Sequence, residues 1–158
     1  MCGIICILSG TIENSVNTVD IFQVFKENIA NRGPDSLNVE KYSSENWDLL
    51  FGASVLWLQG KCITSQPLKD DESLFVYNGD IFGGISDHHL MRADHGDTTI
   101  LFDAIKQMPM ISAVLASKQG PYAFIYLDKR KQKLYFARDI FGRRSLLIGK
   151  RGRFTYTH

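Results

Sequence analysis

Apolar and polar positions follow two periods along this chain. Residues 2 to 9 are apolar, rich in isoleucine and closed by Gly10, a pattern that predicts a buried strand. In TVDIFQVFKENIANRGPDS the period lengthens: Phe22, Phe25 and Ile29 recur at helical spacing, and Asn31, Gly33 and Pro34 then stop the helix. LLFGASVLWL is long and apolar enough for a central strand. SLFVYNGDIFGG reads as a shorter one that turns at Asn78 and Gly79, a pair suited to positive φ, so these two strands are expected side by side with a sharp corner.

Asp97 offers an N-cap for TTILFDAIKQM, which turns Ile100, Leu101 and Ile105 inward, and a second short helix follows in ISAVLASK. After Gly120, PYAFIYLDKRKQKLYFARD holds two strand patterns joined by a charged turn, and SLLIG makes a further strand. Many strands with two or three helices between them make an α+β chain. Nothing repeats and no linker divides it, so residues 1–158 are read as one domain. RFTYTH falls inside what reads as another strand, which marks the chain as a fragment, truncated at its C-terminal end.

Composition narrows the class. A hydrophobic share of 44% over 158 residues is enough for a core. The 18 basic and 17 acidic side chains nearly cancel, so charge supplies no general field for nucleic acid or a membrane surface. Three cysteines, Cys2, Cys6 and Cys62, are an odd count without metal-type spacing, and no signal peptide precedes them, which fits a reducing cytoplasm. The apolar stretches are strand-sized, short of the roughly 20 residues of a membrane span.

Chemistry enters at Cys2. A residue that small lets Met1 be clipped off, leaving a thiol and a free α-amino group on one residue. The amine titrates near about 7.7 to 8 and can take the thiol proton, through a water, so the pair is a nucleophile with its own base. GIICILSG reads equally well as a plain buried strand in which Cys is packing. In the same way Asn78–Gly79 suits a hairpin corner.

RGPD at a helix end suits a brace for the N-terminal strand, with Arg32 holding a loop or carboxylate. Arg138 and Asp139 suit a structural ion pair beside the FG turn. ISDHHLMRADHGD gathers three His and three Asp, yet the adjacent His88 and His89 point apart and no ligand spacing appears, so a solvated loop is the better reading and no metal is expected. DKRKQK, Arg143, Arg144 and KRGR lack an interleaved aromatic platform for RNA, and read as solvated turns.

Cys2 with GI behind it, NRGPDS at 31 to 36, NGDIF at 78 to 82 and ARDIFGRRSLL at 137 to 147 stand in an order and spacing that resembles the class II glutamine amidotransferase domain at the start of asparagine synthetases. FGRRSLL is most similar to the divergent asparagine synthetase domain-containing branch. The resemblance spans essentially the whole chain. It implies the fold of the N-terminal nucleophile hydrolases, a four-layer αββα sandwich. It also implies roles: Cys2 as the nucleophile toward the side-chain amide of glutamine, Asn78 and Gly79 as the oxyanion hole, Asp97 as the partner of the substrate amino group, and Asp80, where family members carry a glutamate, as a second substrate-binding carboxylate. The family arginine that holds the substrate carboxylate falls on Val55, and Lys61 is the nearby cation that could stand in for it.

The implied partner is glutamine, with a covalently linked synthetase domain in the full-length chain. No cofactor is expected in this domain; ATP and magnesium belong to the synthetase domain, whose phosphate loop appears nowhere here. Two other readings stand beside this one. One is a degenerate, non-catalytic interaction or regulatory domain that has lost substrate recognition at Val55, and the other a peptide-type hydrolase on the same fold.

Overall fold

The isoleucine-rich run forms strand β1 (Gly3–Gly10), and the FGASV run forms the centre of a first antiparallel sheet. That central strand, β3 (Trp47–Val55), pairs with β1 on one side and with β2 (Ser36–Ser43) on the other, with Gly3 opposite Ser54 and Ser36 opposite Val55. A computed structural model describes residues 2–10, 18–58, 60–85, 96–107 and 110–149. A second antiparallel sheet runs in the order β4 (Leu68–Lys69), β5 (Ser73–Gly79), β6 (Tyr122–Asp128), β7 (Lys133–Arg138). The helices are α1 (Thr18–Ala30), α2 (Asp97–Gln107) and α3 (Ile111–Ser117).

Side chains alternate across a strand, so each sheet serves two cores. Leu50 of β3 packs with Phe22 and Ile29 of α1 on one face of the first sheet. Its neighbours Leu49 and Phe51 face the other way, against Leu74 and Val76 of β5 and Ile125 and Leu127 of β6, and this is the seam between the sheets. Phe75, Tyr77, Phe124 and Tyr126 point through the far face of the second sheet into Leu101, Phe102 and Ile105 of α2 and Val114 of α3. Each such side chain contributes about 1.5–3 kcal/mol on full burial.

The pattern in the sequence differs from the structure at several elements. β3 and β5 are not neighbours in one sheet; they lie in different sheets and meet face to face. SLLIG pairs with no strand among the described residues: Leu146 packs on the inter-sheet core while Leu147 is 89% exposed. β2 went unforeseen because SLNVEKYS is polar and half-exposed, as an edge strand tolerates. His88, His89, the KRGR run and RFTYTH lie outside the described residues, as does the side chain of Phe25. Among the described residues no helix is long and apolar enough to cross a membrane.

The RGPD turn presses on the end of β3. Asp35 donates its N–H to the Val55 carbonyl at 3.0 Å, and Asp35 Oδ2 accepts from Trp57 N–H at 2.7 Å. A Cβ on Gly33 would stand 2.5 Å from Val55 N and 2.6 Å from the Ser54 carbonyl carbon. Main chain on that side cannot retreat, because Pro34 bridges Val55. Gly33→Ala is therefore expected to lower the unfolding free energy by about 1–3 kcal/mol, read as a reduced denaturant midpoint at unchanged slope. An unchanged midpoint would mean that the turn does not bear on β3.

Candidate functional site

Cys2 stands one residue ahead of β1, half-buried. Ile4 and Cys6 lie against the inter-sheet core, and the same alternation carries Cys2 toward that side. Its surroundings are tied down from several directions. Arg32 Nε donates to the Cys2 carbonyl at 3.4 Å. Gly3 donates its N–H to the Ser54 hydroxyl at 3.1 Å, and that buried hydroxyl donates onward to the Ile29 carbonyl at the end of α1. The other cysteines differ in kind: burial pushes the Cys6 thiol up to about 12, so it is a packing residue, and Cys62 is exposed on a loop.

Asn78 and Gly79 are the last residues of β5, paired with Ala123 and Tyr122 of β6. The expected turn is absent here: neither residue has positive φ. The ladder instead runs on, with Asp80 donating its N–H to the Pro121 carbonyl at 3.0 Å and Phe82 to that of Gln119 at 2.9 Å, and the chain bends later, at Gly84 with φ of 83°. Asn78 follows Leu74 and Val76 on the inter-sheet face and is 4% exposed. Since Asp80 and Phe82 turn their N–H groups toward the β6 side, Tyr77, Gly79 and Ile81 turn theirs away from it. The Tyr77 N–H is taken by Gln66 Oε1 at 2.7 Å and the Ile81 N–H by Asp97 Oδ2 at 2.7 Å. Gly79 N–H lies between them. Tight surroundings exclude a larger residue there: a Cβ on Gly79 would meet the Pro121 carbonyl oxygen and stand 2.7 Å from the Tyr77 hydroxyl.

Asp97 is in the first turn of α2, whose opening N–H groups, from Thr99 and Ile100, go to the Gly96 carbonyl. The cap position thus belongs to Gly96, and the Asp97 carboxylate reaches across to the chain just past β5. Asp80 forms an ion pair with Arg144. The phenol of Tyr77 lies within electrostatic reach of Asp97, Asp80, Arg144 and Cys2, so one small region unites residues from the N-terminus, β5, α2 and the FGRRSLL segment. Tyr77 is 1% exposed and its hydroxyl has no hydrogen-bond partner among the described residues. Burial, reinforced by the Asp97 and Asp80 carboxylates, raises its pKa.

Lys118 belongs to the same region. Its Nζ donates to the Asp80 carbonyl at 2.8 Å and stands 4.9 Å from the ring centre of Tyr122 and 5.8 Å from that of Tyr77. Val55, by contrast, is buried at the end of β3 and brings no charge, and Lys61 lies on an exposed loop. Sequence reading singled out neither Tyr77, Gln66 nor Lys118, and placed Arg144 on a solvated turn.

Asp139 organises the turn that delivers Arg144. Its partner is Arg143, at 3.2 Å, and not Arg138, because the chain folds back at Gly142 with φ of 64° and brings the later side chain over the carboxylate. Tyr122, Phe141, Arg143 and Arg144 also direct their N–H groups to it. Burial alone would raise the Asp139 pKa, yet these donors, led by Tyr122, hold it down to about 2. A depressed carboxylate stabilises the fold above its ordinary value of 3.8, and that contribution is lost as pH falls toward about 2. Asp139→Asn is expected to flatten the acid limb of stability across that window in urea unfolding measured at stepped pH; an unaltered limb would remove Asp139 from the account.

The two antiparallel sheets thus meet face to face, with a cysteine at the head of the first strand and an Asn-Gly pair at the end of β5 in the facing sheet. A model of the glutamine amidotransferase domain matches residues 1–157, and the chain belongs to that family. It is similar to asparagine synthetase domain-containing protein 1 of Bos taurus and of Homo sapiens, 38% identical to each over 151 residues. It is also similar to a probable glutamine-hydrolyzing asparagine synthetase of Acanthamoeba polyphaga mimivirus, 26% identical over 156 residues. These alignments cover 93% of the chain and 22% of the cattle and human proteins, and 94% of the chain and 28% of the viral one.

Proposed function

We propose that this chain is a glutaminase domain that hydrolyses glutamine to glutamate and ammonia at Cys2. The observation that carries the reading is the family match over residues 1–157 in a chain that puts Cys2 at the head of β1 and Asn78–Gly79 at the end of β5, with Cys2, Asp80 and Asp97 all within electrostatic reach of buried Tyr77. With Met1 removed, the α-amine accepts the thiol proton and the sulfur adds to the amide carbon. Negative charge then develops on the amide oxygen, where Asn78 Nδ2 and Gly79 N–H donate to it. The C–N bond breaks, ammonia leaves carrying the proton held by the amine, and water cleaves the thioester to release glutamate and restore the thiol. Asp80 and Asp97 receive the substrate's amino group. The stacking of α1, the two sheets, and α2 with α3 over separate cores supports the four-layer N-terminal nucleophile hydrolase reading.

The ammonia is proposed to serve an ATP- and magnesium-dependent synthetase domain, linked covalently beyond these residues, that makes asparagine in the cytoplasm. Val55 favours a second reading, a non-catalytic interaction or regulatory domain. Loss of a bidentate carboxylate contact removes about 1.5–3 kcal/mol, roughly tenfold to over a hundredfold in affinity, so glutamine is bound weakly unless another cation substitutes. Intact mass before and after treatment with a diazo-ketone analogue of glutamine separates the two. Absence of Met1 and a single adduct, lost in Cys2→Ala, supports the glutaminase; a processed chain that takes no adduct at high analogue concentration supports the scaffold.

A further inference from the structure

Among the buried charges, Lys118 stands apart because it makes no ion pair among the described residues and yet is only 8% exposed. A lysine so placed carries a desolvation cost that surface positions avoid. Lys118 follows α3 directly: its N–H closes the helix on the Val114 carbonyl, and its extended backbone carries the chain on toward β6. The ammonium then reaches the Asp80 carbonyl at 2.8 Å. Gly120 keeps that path open, since a Cβ there would collide with the Asp80 carbonyl oxygen and stand 3.4 Å from Lys118 Nζ.

We propose that Lys118 is a positioning residue for the glutaminase site, fixing the main chain of Asn78–Gly79–Asp80 by holding the Asp80 carbonyl from below. This rests on the glutaminase reading above. Asp80 is then held through both flanking peptides, its N–H by the Pro121 carbonyl and its C=O by Lys118. An oxyanion hole works through donors already aimed where charge appears, so a shift of the segment weakens catalysis more than binding. The cation also lies in the field of the Asp80 and Asp97 carboxylates, offsetting the charge with which they receive the substrate amine.

Groups facing Lys118 come from every element around it: Asp97 of α2, Asp80 after β5, the rings of Tyr77 and Tyr122, and Asp139 and Arg143 after β7. Burial lowers its pKa from 10.5 to about 8, with the Asp97 and Asp80 carboxylates opposing that change. The ammonium therefore loses its proton as pH rises through about 8, whereas the unfolded chain keeps it to about 10.5. Burial of the charged form costs stability below about 8, and that cost is relieved as pH rises toward 10.5, so fold stability increases across this window and activity lost there through Lys118 is not unfolding.

The test measures glutamine hydrolysis against pH for the wild-type chain, Lys118→Arg and Lys118→Met, after confirming the Cys2 adduct and near-ultraviolet dichroism for each. Wild type is expected to lose kcat on an alkaline limb near pH 8. Lys118→Arg, charged at all working pH, should keep kcat within about threefold and abolish that limb. Lys118→Met should lower kcat about tenfold with little change in KM and show no such limb. A folded Lys118→Met with wild-type kcat and an unmoved limb overturns the positioning role alone. No adduct on wild-type Cys2 overturns the glutaminase reading, and this inference with it.

Discussion

Replacing Cys2 with alanine is expected to abolish glutamine hydrolysis, by at least about 10⁴-fold in kcat, while leaving the fold intact. The size follows from what remains. Without the sulfur no thioester can form, and the oxyanion donors and carboxylates can only orient glutamine for attack by water. Neither other cysteine can substitute, since Cys6 is half-buried against the inter-sheet core with its thiol protonated well past neutral pH and Cys62 is on an exposed loop. The fold is spared because the neighbourhood is held by backbone: Arg32 grips the Cys2 carbonyl and Gly3 N–H is received by Ser54, neither of which needs the thiol. Steady-state ammonia release with a coupled assay, beside a thermal melt of both chains, checks the expectation. Residual turnover within about tenfold of wild type would remove Cys2 from the chemistry and leave its conspicuous position as packing.

Much of this architecture was legible in the sequence wherever period and burial coincide. β1, α1, β3, α2, α3 and the β6–β7 hairpin each carry an unbroken apolar period, and each forms close to where that period lies. The misreadings share a cause. Asn78–Gly79 has the local chemistry of a turn, yet the ladder to β6 continues through it, because the main chain of 119–121 supplies acceptors that no local pattern announces. SLLIG has strand propensity and no partner strand among the described residues, and propensity without a ladder is not a strand. The site was legible to the same extent. Cys2, Asn78, Asp80 and Asp97 stand in recognisable motifs, whereas Tyr77, Gln66 and Lys118 act through contacts across 11 to 38 positions of chain. Arg144 was visible only as charge until Asp80, 64 positions away, gave it a partner.

Asn78→Ala is expected to lower kcat by about 10²–10³-fold with KM nearly unchanged, the pattern of a donor that acts only in the transition state. Its side chain sits on the inter-sheet face at the end of β5, the face toward which strand alternation carries Cys2 ahead of β1. Gly79 N–H, turned away from β6 between two N–H groups already held by Gln66 and Asp97, supplies the second donor. Because Asn78 is nearly fully buried, truncation also costs packing, so Asn78→Asp is the necessary companion: it keeps the shape and replaces the donor with an acceptor whose charge repels the developing oxyanion. A loss at least as deep in Asn78→Asp as in Asn78→Ala, with both chains folded, assigns the effect to the missing N–H. If both variants instead raised KM with kcat preserved, Asn78 would be a ground-state contact for glutamine, and the stabilisation of charge would have to fall on Gly79 alone.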